Sequence, residues 1–354
     1  MSNALQTELT LVSMGKHTRL GDALEHALNG IPFTTLRLDD LDTATLCNKR
    51  LLFTVSVDPS GIEPDYFRLL RHCRTQPDAL RGSIGALLVD GEGELYTKGL
   101  ARTLAFTINM AGCRLPGKAL VEATKSLKNF EVLSGVHGVD RFTAYRNATR
   151  ALVERLMGHE PTKFERPKLL MLHASNPERS NTLSIGHRVA ERLGDAMDIT
   201  ELMLTKGAIY DCNGCGHTAC VHFAEQESCF YGGLLPESVF PAIAEADALL
   251  LLCPNYNDAA SAHFAALVNR LNALILRGMP LEKDVFAIIV SGYSGGDIVA
   301  EQILGGFCLN KGFSLPPRFA LLETANDPGE ALSAPGAGAR IEAFCAGIRE
   351  ALLQ

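Results

Sequence analysis

The sequence contains no apolar run close to the roughly 18 residues that a membrane-spanning helix needs, and residues 1–30 contain no signal-peptide core. Basic residues are not in excess, because 33 Lys and Arg stand against 40 Asp and Glu. The formal net charge of −7 gives no reason to expect nucleic acid or an anionic membrane as a partner. Tryptophan is absent, which excludes nothing. We therefore predict a cytoplasmic protein that binds neither nucleic acid nor membrane.

Ten cysteines are present, and in the cytoplasm thiols stay reduced. Four of them lie between residues 212 and 229, and such a cluster indicates a metal-binding or catalytic role more often than disulfides. The other six lie in apolar stretches and are predicted to be buried small side chains. These are Cys47, Cys73, Cys113, Cys253, Cys308 and Cys345.

The length of 354 residues predicts two domains, since a single core seldom grows so large. The polar stretch "MGHEPTKFERPK" contains two prolines and separates two patterned regions. We predict a linker at residues 158–167, between a domain of residues 1–157 and a domain of residues 168–354.

Five short apolar runs alternate with helical periodicity in the C-terminal region. Helical spacing over residues 183–197 places Ile185, Val189, Leu193 and Met197 on one face, and a further helix is predicted near residues 297–311. A strand buried on both faces has such a continuous apolar run, as in "ADALLLLCP". The five predicted strands are residues 168–175, 198–204, 246–254, 284–292 and 318–324. Alternation of this kind predicts an α/β fold with a doubly wound parallel five-stranded sheet.

The N-terminal region is predicted to be a degenerate copy of the C-terminal one. "LRGSIGALLVDG" (80–91) parallels "LEKDVFAIIVSG" (281–292), and "AGCRLPGKALVEA" (111–123) parallels "KGFSLPPRFALLE" (311–323). The segment from residue 141 likewise matches the closing helix, so three pairings keep nearly the same spacing. Such a long period predicts duplication of a whole domain. Each half is therefore expected to have its own doubly wound parallel five-stranded sheet.

Loops at the carboxyl ends of parallel strands are the places where ligands bind in such sheets. The first of these loops, "HASNPERSNT", ends with Ser180, Asn181 and Thr182 at the predicted start of a helix. Amides at a helix N-terminus attract phosphate, and side-chain hydroxyls add donors. The alternative is an ordinary N-cap by Ser180 or Asn181, which needs the same residue types.

Two further loops favour a ligand. "PNYN" follows the third strand from residue 254, and "SGYSGGD" follows the fourth at residues 291–297. Glycines let the backbone approach a ligand closely, and Tyr256 or Tyr293 can stack on a planar ring. Either tyrosine can also be a half-exposed loop aromatic. Together the three loops indicate a phosphorylated planar cofactor.

The region from about 167 to 354 resembles the flavodoxin-fold NAD(P)H-dependent FMN reductases and the related iron–sulfur flavoproteins. "ASNPERSNT" follows their phosphate loop with Ala174 in place of glycine, and "PNYNDAASAHFAALVNR" follows their segment after the third strand. Ala265-Ala266 and Asn269-Arg270 depart from the common Lys and Asp-Arg. The resemblance implies that the phosphate loop supplies Ser175, Arg179, Ser180, Asn181 and Thr182. It implies that the isoalloxazine ring is bordered by Pro254, Asn255, Tyr256, Asn257, Ser291, Gly292, Tyr293, Gly295 and Gly296.

The N-terminal copy departs further from this pattern. Its first loop, "SMGKHTRLGD", has no Ser-Asn-Thr run, and "VSVDPSG" after its third strand has no tyrosine. We predict that it keeps the fold and has lost the flavin site. Relatives commonly place FMN at a dimer interface, so one hypothesis is an intrachain pseudo-dimer in which the N-terminal half borders the flavin site. A homo-oligomer is the alternative.

The four clustered cysteines leave several roles open. Cys212, Cys215, Cys220 and Cys229 are the right number for a [4Fe–4S] cluster or a Cys₄ zinc site. The iron–sulfur relatives have a tighter motif at this position, and many other relatives keep Cys-x-x-Cys without a cluster. His217 and His222 can complete a zinc set. Unliganded or redox-active thiols remain an equal alternative.

The main functional prediction is an FMN-dependent oxidoreductase that takes hydride from NAD(P)H and passes electrons to a quinone, flavin or protein acceptor. Such chemistry needs no acid–base pair, so no catalytic side chain is predicted and His173 is assigned a structural role. The alternatives are an electron-transfer iron–sulfur flavoprotein reduced by a partner protein, and a scaffold of the same fold that does not catalyse a reaction.

Overall fold

The computed structural model describes residues 8–41, 45–226, 228–276, 278 and 281–354. The chain divides into two compact units, Met1–Glu160 and Pro161–Gln354, and the division falls within the stretch predicted as the linker. In the described part, no helix is both long and apolar enough to cross a membrane.

Unit 1 is a five-stranded parallel sheet flanked by helices. Its strands are β1 (Leu9–Met14), β2 (Phe33–Leu36), β3 (Arg50–Val57), β4 (Ile84–Gly91) and β5 (Leu120–Ala123). Its helices are α1 (Thr18–Leu28), α2 (Pro64–Thr75), α3 (Thr97–Met110), α4 (Glu131–His137) and α5 (Arg141–Gly158). The strand order is β2-β1-β3-β4-β5.

Unit 2 repeats this architecture. Its strands are β6 (Lys168–His173), β7 (Asp198–Met203), β8 (Ala248–Pro254), β9 (Asp284–Ser291) and β10 (Ala320–Thr324). Its helices are α6 (Asn181–Leu193), α7 (His217–Glu225), α8 (Phe240–Glu245), α9 (Ala262–Arg270), α10 (Asn272–Leu276), α11 (Gly296–Ile303), α12 (Glu330–Ser333) and α13 (Ala337–Leu352). The strand order is β10-β9-β8-β6-β7. Read from the β7 edge, it places the second strand of the unit first, then the first, third, fourth and fifth, which is the order in unit 1. The prediction of two doubly wound parallel sheets is confirmed.

The helix expected near residues 297–311 changes geometry along its length. It is α-helical as α11 and continues as a π-helical segment from Leu304 to Leu309. The wider turn spans Gly305 and Gly306, and a Cβ added at Gly306 would lie 3.1 Å from a methyl carbon of Val268. Glycine therefore lets this segment lie close against α9.

The repeat found in the sequence has a counterpart in backbone geometry. Gly112 and Gly312 have φ angles of 100° and 105°, and Lys118 and Arg318 have φ angles of 56° and 53°. Isolated parallel bridges join Ile84 to Arg114 and Asp284 to Ser314 in the same way. Positions 200 residues apart thus adopt the same unusual conformations. Descent of the two units from one duplicated domain stays a prediction.

The core of unit 2 positions the start of α6. Ile185, Val189 and Leu193 form its fully buried face, as the sequence predicts, although the helix ends at Leu193 and Met197 follows in the next turn. A Cβ at Gly186 would lie 2.5 Å from a methyl carbon of Leu252 on β8. This close approach holds the helix on the sheet and sets its N-terminus at the carboxyl edge.

Burial of the scattered cysteines follows the prediction at five positions. Cys73, Cys113, Cys253, Cys308 and Cys345 are buried, whereas Cys47 is partly exposed. The prediction for Cys47 is wrong because the residue lies in a turn, where its thiol contacts the carbonyl oxygen of Asp78 at 3.4 Å.

Candidate functional site

Three loops of unit 2 meet at the carboxyl edge of the sheet. They follow β6, β8 and β9, which are adjacent in the sheet order, so the segments that leave their C-termini are neighbours. This edge is where parallel α/β sheets bind ligands.

The loop after β6 combines a buried hydroxyl with a helix N-terminus. Ser175 is 1% exposed, and its Oγ has no hydrogen-bond partner among the described residues. Ser180 is the N-cap of α6, because its Oγ accepts a hydrogen bond from the Leu183 amide at 3.1 Å. The amides of Asn181 and Thr182 open the helix and have no intrahelical acceptor. Both the cap and the phosphate interpretations of this loop therefore apply.

Asn181 has a different role from the one its position suggests. Its Nδ2 donates to the Asp327 carbonyl at 2.8 Å, and its Oδ1 accepts from the Gly329 and Ala331 amides at 2.9 and 3.3 Å. The side chain therefore fastens α6 to the loop after β10. Only the backbone amide of Asn181 is left for an anion.

The remaining phosphate-loop residues differ in their access to solvent. Thr182 is buried, while Arg179 is exposed on a turn in which its amide donates to the Asn176 carbonyl at 3.3 Å. Asn176 also accepts from the Glu178 amide through Oδ1. The guanidinium of Arg179 can reach an anion from the solvent side.

Asn255 fastens the loops after β8 and β9 to each other. Its Nδ2 donates to Ser291 Oγ at 3.1 Å and to the Ser294 carbonyl at 2.8 Å, and lies 3.4 Å from Asp258 Oδ1. Its Oδ1 is buried and has no partner among the described residues. A polar atom left in this state loses hydration without compensation, which favours a ligand donor at that point.

The same two loops contain residues with strained or left-handed backbone conformations. Asn257 and Asp258, directly after Tyr256, have consecutive left-handed φ angles of 53° and 58°. Gly295 has a φ of 79°, and a Cβ there would lie 1.9 Å from Asp258 Oδ1. Non-glycine residues in this region cost free energy and concentrate at ligand sites.

The remaining predicted ring contacts lie on the same loops. Pro254 ends β8, and added Cβ atoms at Gly292 and Gly296 would lie 3.4 Å from Asn326 Oδ1 and 3.2 Å from Ser291 Oγ. Tyr256 and Tyr293 are 53% and 84% exposed. Their rings are accessible to a planar ligand, which is also the property of an ordinary loop aromatic.

These features fit a phosphorylated planar cofactor. The helix N-terminus provides neutral donors for a phosphate dianion, and so does the Ser175 hydroxyl, which has no partner within the described part of the chain. The glycine-containing loop lets backbone approach a ligand, and the exposed rings of Tyr256 and Tyr293 are accessible to a flat ring.

The equivalent edge of unit 1 carries an internal ion pair. Asp90, fully buried at the end of β4, accepts from Arg19 Nη2 at 2.6 Å and Nε at 3.1 Å. His17 Nδ1 lies 3.5 Å from the same carboxylate. The guanidinium of Arg19, at the start of α1, is thus engaged by a carboxylate of its own unit. The loss of the flavin site from unit 1 stays a prediction.

A buried arginine anchors the cysteine-containing segment. Arg270 at the end of α9 is 2% exposed, and it donates to the Tyr210 carbonyl at 3.1 Å and the Gly232 carbonyl at 2.9 Å. Asn269 Nδ2 donates to Asp211 Oδ1 at 2.9 Å. In the sequence, Asn269 is only a departure from the common Asp-Arg pair and Arg270 only its match, because their partners lie 38 to 60 residues away.

The four cysteines are neighbours within this segment. Partial burial, and after it the charges of Cys215, Cys229 and Cys212, raise the pKa of the Cys220 thiol above its ordinary value. Cys212 is exposed and the other three are partly exposed. Among the described residues, which omit Glu227 of this segment, no group of three or more His, Cys, Asp or Glu side chains is arranged to hold a metal ion. The iron–sulfur and zinc hypotheses therefore gain no support.

Comparisons with known proteins give one family match and several solved structures. No curated protein sequence is significantly similar to the chain. RosB with its bound intermediate OHC-RP is 17% identical over 51% of this chain and 76% of its own, with a TM-score of 0.40. The apo form of the NADH:FMN oxidoreductase EmoB is 11% identical over 52% and 90%, with a TM-score of 0.36. The flavoenzyme NAD(P)H:acceptor oxidoreductase FerB from Paracoccus denitrificans is 12% identical over 52% and 98%, with a TM-score of 0.33.

The family match covers residues 167–327, which begins just before β6 and ends after β10. It includes the loops after β6, β8 and β9, and it leaves unit 1 unmatched. Unit 2 therefore matches the NADPH-dependent FMN reductase family over residues 167–327, in agreement with the resemblance in its sequence.

Proposed function

We propose that the protein is an FMN-dependent oxidoreductase that takes hydride from NAD(P)H and passes electrons to a quinone, a flavin or a protein acceptor. The observation that carries the proposal is the buried Ser175 hydroxyl, which lacks a partner among the described residues and precedes the N-terminus of α6. The family match over residues 167–327 supports the same cofactor.

The phosphate would be held by neutral donors. The donors would be Ser175 Oγ and the amides of Asn181 and Thr182, which belong to one loop and the helix start that follows it. Ser180 stabilises the first turn of α6 as its N-cap. Arg179 adds a positive charge from the exposed side of the loop. A helix N-terminus of this kind favours an anion by about 0.3–1 kcal/mol, and more where water is excluded.

The isoalloxazine ring would be bordered by the two loops that Asn255 joins. Pro254, Asn255, Tyr256 and Asn257 lie on one loop, and Ser291, Gly292, Tyr293, Gly295 and Gly296 lie on the other. When bound, FMN would supply the redox chemistry between NAD(P)H and the acceptor, and the chain contributes binding, orientation and exclusion of water. No acid–base side chain is assigned.

The test begins with the absorbance spectrum of protein purified without oxygen. Flavin bands at about 370 and about 450 nm, at one FMN per chain, are expected because unit 1 is predicted to lack the site. Colourless protein that takes up no added FMN would overturn the proposal. A broad brown shoulder in the same spectrum would support the iron–sulfur hypothesis if the spectrum of a Cys212→Ala variant lacks it.

Two variants sharpen the test. Ser175→Ala should weaken FMN binding about tenfold, because a donor to the phosphate is lost. Ser333→Ala on α12, an exposed serine that bonds only to carbonyls of its own helix segment, should bind FMN like the parent protein. Oxidation of NADPH in the presence of a quinone distinguishes an enzyme from an electron carrier that requires a partner protein. Pairing of the two units around the flavin stays a prediction, which solution scattering of the full chain would address.

A further inference from the structure

The Ser175 amide donates a hydrogen bond to an imidazole two residues earlier. Its N–H lies 3.3 Å from Nδ1 of His173, the last residue of β6. Both residues are 1% exposed. The contact fixes the direction in which the chain leaves the strand, and with it the position of the partnerless Ser175 hydroxyl.

This contact selects one tautomer of His173. Nδ1 can accept from the Ser175 amide only if it carries no proton, so the ring proton of the neutral imidazole is on Nε2. Nε2 lies 2.9 Å from Glu201 Oε1 on the neighbouring strand β7, so the Nε2–H group donates to that carboxylate. A carboxylate beside one ring nitrogen is a common way in which proteins fix the tautomer of a histidine.

The other oxygen of Glu201 ties α6 into the same arrangement. Oε2 lies 3.0 Å from Nε2 of His187, which is on the exposed side of α6. One carboxylate thus bridges a buried imidazole on β6 and an exposed imidazole on the helix that presents the anion site. Around His173, Glu201 lies on β7 and His187 lies beyond it on α6, while Leu252 pairs with His173 on β8.

We propose that His173 is a positioning residue for the cofactor phosphate. Its Nδ1 holds the Ser175 amide so that the Ser175 hydroxyl is aimed at the phosphate, and Glu201 keeps the imidazole in the required tautomer. This inference rests on the proposed function, because it assigns a role toward FMN. The histidine itself does not contact the cofactor and is not a catalytic residue.

Two substitutions separate the two ring nitrogens. In His173→Asn, the amide oxygen can take the place of Nδ1 and accept from the Ser175 amide, while the contact with Glu201 is lost. In His173→Gln, the longer side chain can place an N–H group near Glu201, while the acceptor for Ser175 is lost. The pair therefore removes one contact at a time from nearly the same volume.

The measurement compares FMN with riboflavin, which lacks the phosphate. Dissociation constants of the full chain are obtained from quenching of flavin fluorescence, with thermal unfolding of the ligand-free protein as a record of folding. His173→Gln should weaken FMN binding about tenfold and leave riboflavin binding within about twofold. His173→Asn should keep FMN binding within about threefold of the parent protein.

Other results overturn the inference. Equal loss of FMN and riboflavin affinity in His173→Gln would mean that the residue only maintains the fold. Unchanged FMN affinity in His173→Gln, or a loss in His173→Asn as large as in His173→Gln, would mean that the Ser175 contact does not position the phosphate site. Failure of the parent protein to bind FMN refutes the proposed function instead, so the two failures are distinguishable.

Discussion

Asn255 donates from Nδ2 to Ser291 Oγ at 3.1 Å, so one amide fastens the loop after β8 to the loop after β9. The same nitrogen donates to the Ser294 carbonyl. Ser291 and Ser294 follow Asn255 in the sequence by 36 and 39 residues. This side chain therefore helps to set the relative position of the loops that carry Tyr256 and Tyr293.

Replacement of Asn255 should loosen both loops at once. Asn255→Ala is expected to weaken FMN binding about tenfold, because the donor to Ser291 and Ser294 is lost and the loops sample more conformations. Fluorescence titration measures the change. Asn129→Ala, which removes a side-chain amide in unit 1, is the control and should bind FMN like the parent protein. Unchanged affinity in Asn255→Ala would contradict the assignment of these loops to the ring.

Gly295 should not tolerate a side chain. Gly295→Ala places a Cβ against Asp258 at a φ of 79°, so strain and overlap add together. We expect the free energy of unfolding to fall by about 2 kcal/mol or more. Gly329→Ala is the matched control, since Gly329 has a φ of 85° and open space around its Cα, so its loss should be about 1 kcal/mol. Urea denaturation compares the two, and equal losses would argue against the Asp258 contact.

Asn181 should act on stability more than its position in the phosphate loop suggests. Asn181→Ala leaves the Asp327 carbonyl and the Gly329 amide without their present partner, and is expected to lower the free energy of unfolding by about 1–3 kcal/mol. Asn176→Ala, which removes one exposed turn contact, should cost about 0.5 kcal/mol or less. If both variants unfold at the same denaturant concentration, the clamp does not contribute.

The buried ion pair of unit 1 should depend on both partners. Arg19→Met leaves the buried Asp90 carboxylate without its guanidinium partner, although His17 Nδ1 remains 3.5 Å away and Tyr145 lies beside it, and should cost about 3 kcal/mol of unfolding free energy. The double replacement Arg19→Met with Asp90→Leu should recover part of this loss, since no charge is then buried. Arg188→Met, from an exposed pair with Glu191 on α6, is the control and should cost about 0.5 kcal/mol or less.

His159 should make the stability of the protein fall in acid. Burial, and then the positive charges of Arg114 and Arg50, lower the pKa of His159 to about 4. As the pH falls below about 6.5 the unfolded chain takes up a proton first, so stability decreases between about pH 6.5 and pH 4 and levels off below that range.

The replacement His159→Gln should remove this part of the pH dependence. The parent protein is expected to lose about 1–2 kcal/mol more than His159→Gln between pH 7 and pH 4.5, a value reduced from the full shift because the ring is partly exposed. Denaturation of the full chain at both pH values measures the difference. Identical pH profiles would show that His159 keeps its ordinary pKa.

The fold follows from patterns that are local in the sequence. Continuous apolar runs such as residues 248–253 lie in strands that are buried on both faces, and helical spacing placed Ile185, Val189 and Leu193 on the buried face of α6. Each pattern needs only neighbouring residues, because burial on one face or two imposes its own period. The burial of Cys47 was not predicted correctly, because apolar neighbours in the sequence do not show that the residue lies in a turn.

The roles of the polar side chains depend on contacts that the sequence does not contain. Asparagine at position 181 suits both a phosphate ligand and a clamp, and only the loop after β10, some 146 residues later, distinguishes them. Arg270 and His173 likewise gain their roles from partners on other elements.

By itself the sequence determined the alternation of strands and helices, the repeated architecture and the loops of the candidate site. Tertiary structure alone decided which atoms of those loops are engaged and which are left for a ligand. The reason is physical: apolar burial acts through periodicity along the chain, whereas a hydrogen bond is directional and exists only once two distant segments are within about 3 Å.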